Sequence, residues 1–244
     1  MKRALAMALG LLGAWWGVSA LALVPEFMLP SPAEVALAGW QNGAYLAQNA
    51  LVTGSEILLG LLCGTALGAG AALVIAASGT LQRWLMPLLV VSQAVPVFAL
   101  APLMVLWLGF GLASKVALAV LVIFFPVTAN FLDGLRRTEP GWLDLAATMG
   151  ARPWRVLLGL RLPAALPALA SGVRVAAAVA PIGAVLGEWV GASSGLGYVM
   201  LNANARIETA LMFAALLVLG VMSVTLYVAV DRGLRAALRW SPGG

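Results

Sequence analysis

The chain has 244 residues, of which 63% are hydrophobic and only 9% are charged. Because a soluble domain carries about 25% charged residues, this composition excludes a soluble protein and indicates a membrane protein. The chain has no histidine and one cysteine, Cys63, which excludes histidine-dependent nucleophile pairs, His-bound metal and an internal disulfide. Neither Lys2 nor Lys115 is followed by Ser or Thr as in a Walker A motif, so ATP hydrolysis would need another chain. We predict no catalytic, cofactor-binding or metal-binding residue.

The apolar residues extend over enough sequence for several membrane spans. A helix needs about 20 apolar residues to cross a bilayer, so we predict an all-α, polytopic membrane protein with a single domain, residues 1–244. The six predicted transmembrane helices cover about residues 4–24, 46–77, 84–108, 115–132, 166–189 and 209–230. The net charge of +5 therefore reflects the distribution of charge across the membrane, and does not indicate nucleic-acid binding.

The first apolar run, residues 4–24, has two interpretations. The tripeptide Ala20-Leu21-Ala22 resembles the cleavage site of a signal peptide. We favour a retained helix, because the run is long for a signal peptide and further spans follow it. Residues 25–45 contain three prolines and polar breaks, which predicts an exterior segment with a short interfacial helix around residues 33–40.

In the second span, Gly60, Gly64 and Gly68 recur at four-residue spacing and so share one face of a helix. Small residues on one face let a neighbouring helix backbone approach closely, which is a common packing device in membranes. The pattern predicts a helix-packing face, with a generic glycine-rich span as the alternative.

The third and fourth spans contain the polar and proline residues that suggest a translocation pathway. Proline frees backbone carbonyls, which then need partners inside the protein or in a watery cavity, and Gln93 is unsuited to lipid. We assign Gln93, Pro96 and, in the fourth span, Asn130 to the pathway. The alternative is a kinked helix in which Gln93 hydrogen-bonds to a neighbouring helix.

Residues 136–163, RRTEPGWLDLAATMGARPWRVLLGLRLP, form the longest charged interruption, here called the charged loop. Thr138 is expected to cap a first short helix, and Gly150 suits the left-handed conformation that ends such a helix. A second helix is predicted to begin near Pro153 and to end before Leu162-Pro163, because the residue before a proline disfavours helix. The mixture of basic and apolar side chains suits either the lipid headgroups or a groove on another protein.

The fifth span contains two charged residues. Arg174 lies about three turns from the cytoplasmic end, close enough to snorkel or to form an ion pair. Glu188 lies near the outer end and is assigned to the pathway, with simple exposure at the interface as the alternative. Residues 190–208 are polar and predicted to be exterior, and residues 231–240 form a basic, amphipathic cytoplasmic tail.

The positive charges agree with this topology. Six spans place both termini in the cytoplasm and put eleven basic residues on that side: Lys2, Arg3, Arg83, the five arginines of the charged loop, Arg232, Arg235 and Arg239. Only Lys115 and Arg206 are predicted to lie outside. This asymmetry is the one that the positive-inside rule requires.

The charged loop resembles the EAA loop of permease subunits of bacterial ABC importers. The run DLAATMGA, Asp144 to Ala151, precedes Leu162-Pro163 at the family's spacing, although Asp144 replaces the usual Glu and Leu145 the first Ala. The resemblance implies coupling to a cytoplasmic ATPase through Asp144, Ala146, Ala147, Gly150, Ala151, Leu162 and Pro163. It extends over most of the chain and is closest to the nitrate, sulfonate, taurine and pyrimidine-precursor branch, as the segment from Gly187 to Tyr198 illustrates.

This resemblance implies a type I importer permease in a bacterial inner membrane that works by alternating access. The implied partners are a second, identical permease subunit, two ATP-binding subunits, a periplasmic or lipid-anchored substrate-binding protein and membrane lipid. The expected substrate is a small organic nutrient such as a thiamine-type pyrimidine precursor, or otherwise a sulfonate, taurine or nitrate. The alternative function is an ion-gradient-driven secondary transporter, which usually needs midplane acids and internal repeats.

Overall fold

The computed structural model describes residues 2–21 and 24–241, and within these ranges the chain is helical without any strand. The eleven α-helices of the described chain are α1 (Lys2–Ala20), α2 (Pro32–Gln41), α3 (Gly43–Ala77), α4 (Gly79–Ser92), α5 (Val97–Leu108), α6 (Leu112–Arg136), α7 (Pro140–Thr148), α8 (Pro153–Val156), α9 (Leu162–Trp189), α10 (Leu196–Ala205) and α11 (Thr209–Ala237). A π-helical turn, Leu157–Arg161, joins α8 to α9. The predicted all-α fold is confirmed.

Four helical segments are long and apolar enough to cross a membrane: α3, α6, the continuous segment Pro153–Trp189, and α11. The helices α4 and α5 form a fifth span if they are counted together. The first predicted span, residues 4–24, falls on α1 and is only partly covered by the described residues. Within the described residues, length and composition give four or five spans, compared with the six predicted for the whole chain.

The predicted third span, residues 84–108, is two helices and not one. The axes of α4 and α5 differ by 98°, and the chain leaves the helix at Gln93 and re-enters it after Pro96. Pro96 has no N–H to donate to a helical carbonyl, and it disfavours helix at Val95. We call α4 and α5 the bent pair.

The best-packed part of the molecule is the three-helix core of α3, α6 and α9. Glycines let these helices approach closely: a Cβ atom added to Gly64 of α3 would lie 2.7 Å from Ile123 Cγ2 of α6. A Cβ atom added to Gly183 of α9 would lie 2.7 Å from Ala119 Cα on the same helix α6. Because both positions face α6, this helix is enclosed between the other two.

Two short helices cover the end of the core that includes the start of α3. The helix α2 confirms the short helix predicted around residues 33–40, and Ser31 and Glu34 cap it reciprocally. The helix α10 lies in the segment 190–208, which was predicted to be polar and exterior. Its apolar side, including Leu196 and Val199, is buried against the core, and its location on the exterior side stays a prediction.

Candidate functional site

The first helix of the charged loop, α7, ends in a hydrogen-bonded Schellman motif. Gly150 has φ +69°, which confirms the predicted left-handed conformation. The Gly150 N–H donates to the Ala147 carbonyl at 3.0 Å, and the Ala151 N–H donates to the Ala146 carbonyl at 2.9 Å. These two bonds satisfy carbonyls that the end of a helix would otherwise leave free. Four of the residues assigned to coupling therefore form one turn that fixes where the chain goes after α7.

The start of α7 differs from the prediction. Glu139 and not Thr138 is the residue that precedes the helix, and it makes no side-chain cap. The buried Thr138 hydroxyl instead donates to the Leu135 carbonyl at 3.3 Å, because it lies against the end of α6. The neighbouring Pro140 occupies the first helical position, where its missing N–H costs no helical bond.

The second helix of the charged loop does not end before Leu162-Pro163, as was predicted. It continues through the π-helical turn into α9, giving one helical segment from Pro153 to Trp189. The widened turn carries the chain past Pro163, which has no N–H for a normal helical bond and lies in the first turn of α9. Arg161 Nε in this turn donates to the Leu135 carbonyl at 2.9 Å, which ties it to α6.

The charged loop presents a mixed apolar and basic surface. Its exposed large apolar side chains are Trp142, Leu145, Met149, Trp154 and Leu158. Arg155 lies over the Trp154 ring at 5.2 Å from its centroid, an arrangement typical of a cation–π contact. Asp144 is exposed and makes no hydrogen bond or ion pair with any described residue. Apolar side chains exposed together in this way mark a surface that binds another protein or lipid.

A cavity of about 600 Å³ lies between the bent pair and the neighbouring helices α3 and α6. Gln93 and Ser92, at the end of α4, are its polar side chains, and none of the described lining residues is charged. Pro96 lies at the break between the two helices of the bent pair. The structure therefore brings Gln93 and Pro96 together at one place, beside an uncharged cavity.

The other two residues assigned to the pathway lie elsewhere. Asn130 is half-buried on α6, where its side chain donates to the Pro126 carbonyl at 2.8 Å and lies next to Gly172 of α9. Glu188 is 1% exposed, so the prediction that it faces an aqueous cavity or open solvent is wrong. Its carboxylate accepts hydrogen bonds from the Thr53 hydroxyl and the Gly197 N–H.

Glu188 belongs to a buried polar cluster that the sequence analysis did not assemble. Glu56 of α3 is fully buried, and Lys115 Nζ of α6 lies 3.1 Å from its Oε1 atom. Lys115 is itself buried, and its location on the exterior side of the membrane stays a prediction. The only signal in the sequence was an acidic residue, Glu56, near the start of a long apolar run. Pairing it with two residues far along the chain required the fold.

An ion pair at the other end of the core confirms the prediction for Arg174. Its Nε atom lies 2.8 Å from Asp231 Oδ1, and Arg235 Nε lies 2.9 Å from Asp231 Oδ2. Asp231 therefore links α9 to α11, the helix that carries the basic tail.

Comparison with known proteins gives consistent results. A family described as "Binding-protein-dependent transport system inner membrane component" matches residues 60–239. A probable ABC transporter permease protein of Haemophilus influenzae is 53% identical, covering 91% of this chain and 90% of the relative. The formylaminopyrimidine transport permease protein ThiX of Halalkalibacterium halodurans is 35% identical, covering 92% of this chain and 90% of the relative.

A solved structure shares the fold. A chain of the MetNI methionine ABC transporter, in an inward-facing conformation, superposes with a TM-score of 0.70. The alignment covers 80% of this chain and 97% of that chain at 19% sequence identity, a level at which the similarity concerns the fold alone.

Proposed function

This chain belongs to the family of binding-protein-dependent transport system inner membrane components, and we propose that its charged loop is the part that docks on the ATPase. The chain is the transmembrane permease subunit of an ATP-driven ABC importer, with the predicted importer permease fold, and a partner ATPase hydrolyses the ATP. Family membership removes the ion-gradient-driven transporter as an alternative. Importers of this family work with ATPase and substrate-binding partners.

The observation that carries the docking proposal is the continuity between the charged loop and the three-helix core. The apolar surface of α7 and α8 is exposed, and α8 continues into α9 without interruption. Because α9 is packed against α6 through glycines, a displacement of α8 is transmitted to the core as a whole. ATP binding then favours the outward-open arrangement because the closed ATPase pair binds that arrangement more tightly.

We propose that two identical copies of the chain assemble in a bacterial inner membrane with both termini in the cytoplasm. The distribution of basic residues supports this orientation, since the charged loop and the tail are arginine-rich. A reporter domain fused after residue 150 is expected to be cytoplasmic. A periplasmic signal at that position would contradict the orientation and the docking proposal together.

The proposed pathway passes the cavity at the break of the bent pair, with Gln93 as its hydrogen-bonding side chain. The absence of charge among the described lining residues suits a neutral, flat solute better than a sulfonate or nitrate. Together with the relationship to a formylaminopyrimidine permease, this supports a thiamine-type pyrimidine precursor as substrate. Formylaminopyrimidine is expected to stabilise the cognate binding protein against heat, and stabilisation by taurine or nitrate alone would overturn this choice.

The docking proposal is tested by Gly150→Asp. A side chain at φ +69° costs about 1–2 kcal/mol, and relieving it moves α8 relative to α7. We expect the variant to insert normally but to lose the ATPase on purification, or to hydrolyse ATP without uptake. Asp144→Lys should have the same effect more weakly.

Gly141→Asp is the matched control. It introduces the same side chain at an exposed position of α7, the helix that Gly150 ends, and an added Cβ meets no atom within 4 Å there. An acidic residue in the first turn of a helix is also favourable. Normal uptake by both Gly150→Asp and Gly141→Asp would show that the charged loop does not dock on the ATPase.

A further inference from the structure

The start of α10 is capped by side chains of two other helices. Consecutive backbone N–H groups donate there to side-chain oxygens of α3 and α9: Gly195 to Asn49 at 2.7 Å, Leu196 to Thr53 at 2.8 Å, and Gly197 to Glu188. A helix commonly leaves its first N–H groups to water or to a capping side chain just before it, but Gly195, which precedes α10, has no side chain. The helix α10 therefore depends on α3 and α9 for its hydrogen-bonded start, and we call these three acceptors the α10 cap.

Thr53 lies at the centre of the α10 cap. Its Oγ1 atom accepts from the Leu196 N–H and is within hydrogen-bonding distance of both the Glu188 carboxyl group and the Asn49 carbonyl. The side chains of Thr53 and Glu188 are buried, so water is not at hand to replace these bonds. Removing the Thr53 oxygen therefore leaves the Leu196 N–H without an acceptor and removes a contact between α3 and α9.

The glycines on either side of Leu196 let α10 approach the last turn of α9. A Cβ atom added to Gly195 or Gly197 would collide with the Glu188 carboxyl group. Gly195 also has φ +112°, a conformation that other residues rarely adopt. The close approach and the bonds of the α10 cap together fix α10 to the end of α9.

The helix α9 connects the α10 cap to the charged loop. It has 28 residues, which corresponds to about 42 Å and exceeds the hydrocarbon core of a bilayer, about 30 Å. Its first turn continues from α8, and Glu188 lies in its last turn. With the charged loop on the cytoplasmic side, α10 lies on the outer side. Exposed residues at and just beyond the end of α10 include Asn204, Arg206 and Glu208, which suit a partner protein or water better than lipid.

We propose that Asn49, Thr53 and Glu188 are positioning residues that make α10 move together with α9 when the loaded binding protein acts on the outer side. The other end of α9 carries α8, so a displacement of α10 reaches the ATPase through one continuous helix. The inference rests on the proposed function, because it requires the charged loop to dock on the ATPase. Without the α10 cap, α10 follows the binding protein without displacing α9, and the binding protein no longer stimulates ATP hydrolysis.

Thr53→Val tests this role in the assembled transporter, reconstituted in lipid nanodiscs with the cognate binding protein as purified with its native ligand. Valine has nearly the same shape but no acceptor for the Leu196 N–H, whereas Thr53→Ser keeps the oxygen. In Thr53→Val the maximal stimulation of ATP hydrolysis by the binding protein should fall by about fivefold, while hydrolysis without the binding protein changes by less than about twofold. Thr53→Ser should retain the stimulation. Thr225→Val is the matched control, because Thr225 is exposed and its hydroxyl bonds only within α11.

Hydrogen exchange provides a direct readout of the α10 cap. Peptides that cover residues 195–205 should exchange faster in Thr53→Val than in the wild type, Thr53→Ser and Thr225→Val. If the Thr53→Val complex does not assemble, Asn49→Ala takes its place, with the same changes expected in exchange and in stimulation. That substitution removes the acceptor of the Gly195 N–H and otherwise only a bond within α3.

Three outcomes would overturn the proposal. Faster exchange in α10 with full stimulation would show that α10 is not coupled to α9 during transport, and unchanged exchange would show that the α10 cap does not hold α10. Equal losses of hydrolysis with and without the binding protein would show a purely structural role. Gly150→Asp separates these results from the docking proposal: if it uncouples hydrolysis from uptake while Thr53→Val keeps full stimulation, the inference about α10 alone is wrong.

Discussion

The three-helix core and the bent pair are neighbouring parts of one membrane domain, but they use their special residues differently. In the core, glycines of α3 and α9 face α6 and bring the backbones into close contact. In the bent pair, Pro96 marks a 98° bend, and none of the described residues of α4 is buried. The three-helix core is therefore closely packed, whereas the bent pair borders a cavity.

The contrast shows that a proline does not by itself break a membrane helix. Pro126 and Pro181 lie inside α6 and α9, and both helices continue past them. Pro181 is buried in the core, where the packing of neighbouring helices maintains the helix. Pro96 has no such support, because the residues around it are exposed and border the cavity. Pro87 is exposed inside α4, and that helix also continues past it, so packing supports the helix at Pro181 but is not required at every proline.

The largest effect is expected from Gly64→Leu, which disrupts the close contact between α3 and α6 in the three-helix core. The first added carbon already lies 2.9 Å from Ile123 Cβ, so α3 and α6 have to separate along their whole contact. Overpacking of this kind costs about 1–3 kcal/mol or more. We expect a loss of most of the folded complex, measured as the monodisperse fraction after mild detergent extraction.

Gly70→Leu is the matched control on the same helix, because an added Cβ at Gly70 meets no atom within 4 Å. The control should keep its yield, as should Leu62→Ile on the exposed side of α3. Equal yields for Gly64→Leu and Gly70→Leu would show that α3 and α6 are not in close contact, and the contrast between the two regions would be lost.

A smaller effect is expected in the rates at which cysteines placed in the two regions react, and these rates should show which region moves. In a Cys63→Ser background, Gln93→Cys should react with a membrane-impermeant thiol reagent, because position 93 is exposed at the cavity. We expect the rate to change severalfold when ATP is trapped on the ATPase, since the pathway opens to the other side of the membrane.

Ala184→Cys provides the comparison from the core. Ala184 is fully buried on α9 and should be unreactive with or without trapped nucleotide. A Gln93→Cys rate that is independent of nucleotide would remove the bent pair from the pathway. Reaction at position 184 that depends on nucleotide would instead place the moving surface within the core.

How much of this structure the sequence predicts depends on how far apart along the chain the interacting residues lie. The apolar runs and the conformation of Gly150 depend on nearby residues, so composition and spacing predicted them. The continuation of the helix through Pro163 was missed because a local rule was overridden by a π-helical turn and by the bond from Arg161 to the end of α6.

The buried polar cluster was beyond sequence reasoning for a different reason. Lys115 stands at the boundary of an apolar run and was therefore assigned to the exterior, like most lysines in that position. Its partner Glu56 is 59 residues away along the chain, and the two meet only because α3 and α6 pack together. No pattern within either segment indicates that pairing.

The smallest effect is expected at the ion pair between Arg174 and Asp231, which tests whether α11 moves with the core. The pair lies near the end of α11 and is partly open to solvent, so its contribution is reduced by solvation and by salt. Arg174→Gln and Asp231→Asn should each lower the unfolding midpoint by less than Gly64→Leu does. The double variant should lose less than the sum of the two losses, because each change removes the same contact.

Arg235→Gln is the control, since Arg235 contacts Asp231 within α11 and its loss leaves the link to α9 intact. If the losses of Arg174→Gln and Asp231→Asn are additive, the pair does not join the two helices, and α11 is free to move separately from the core.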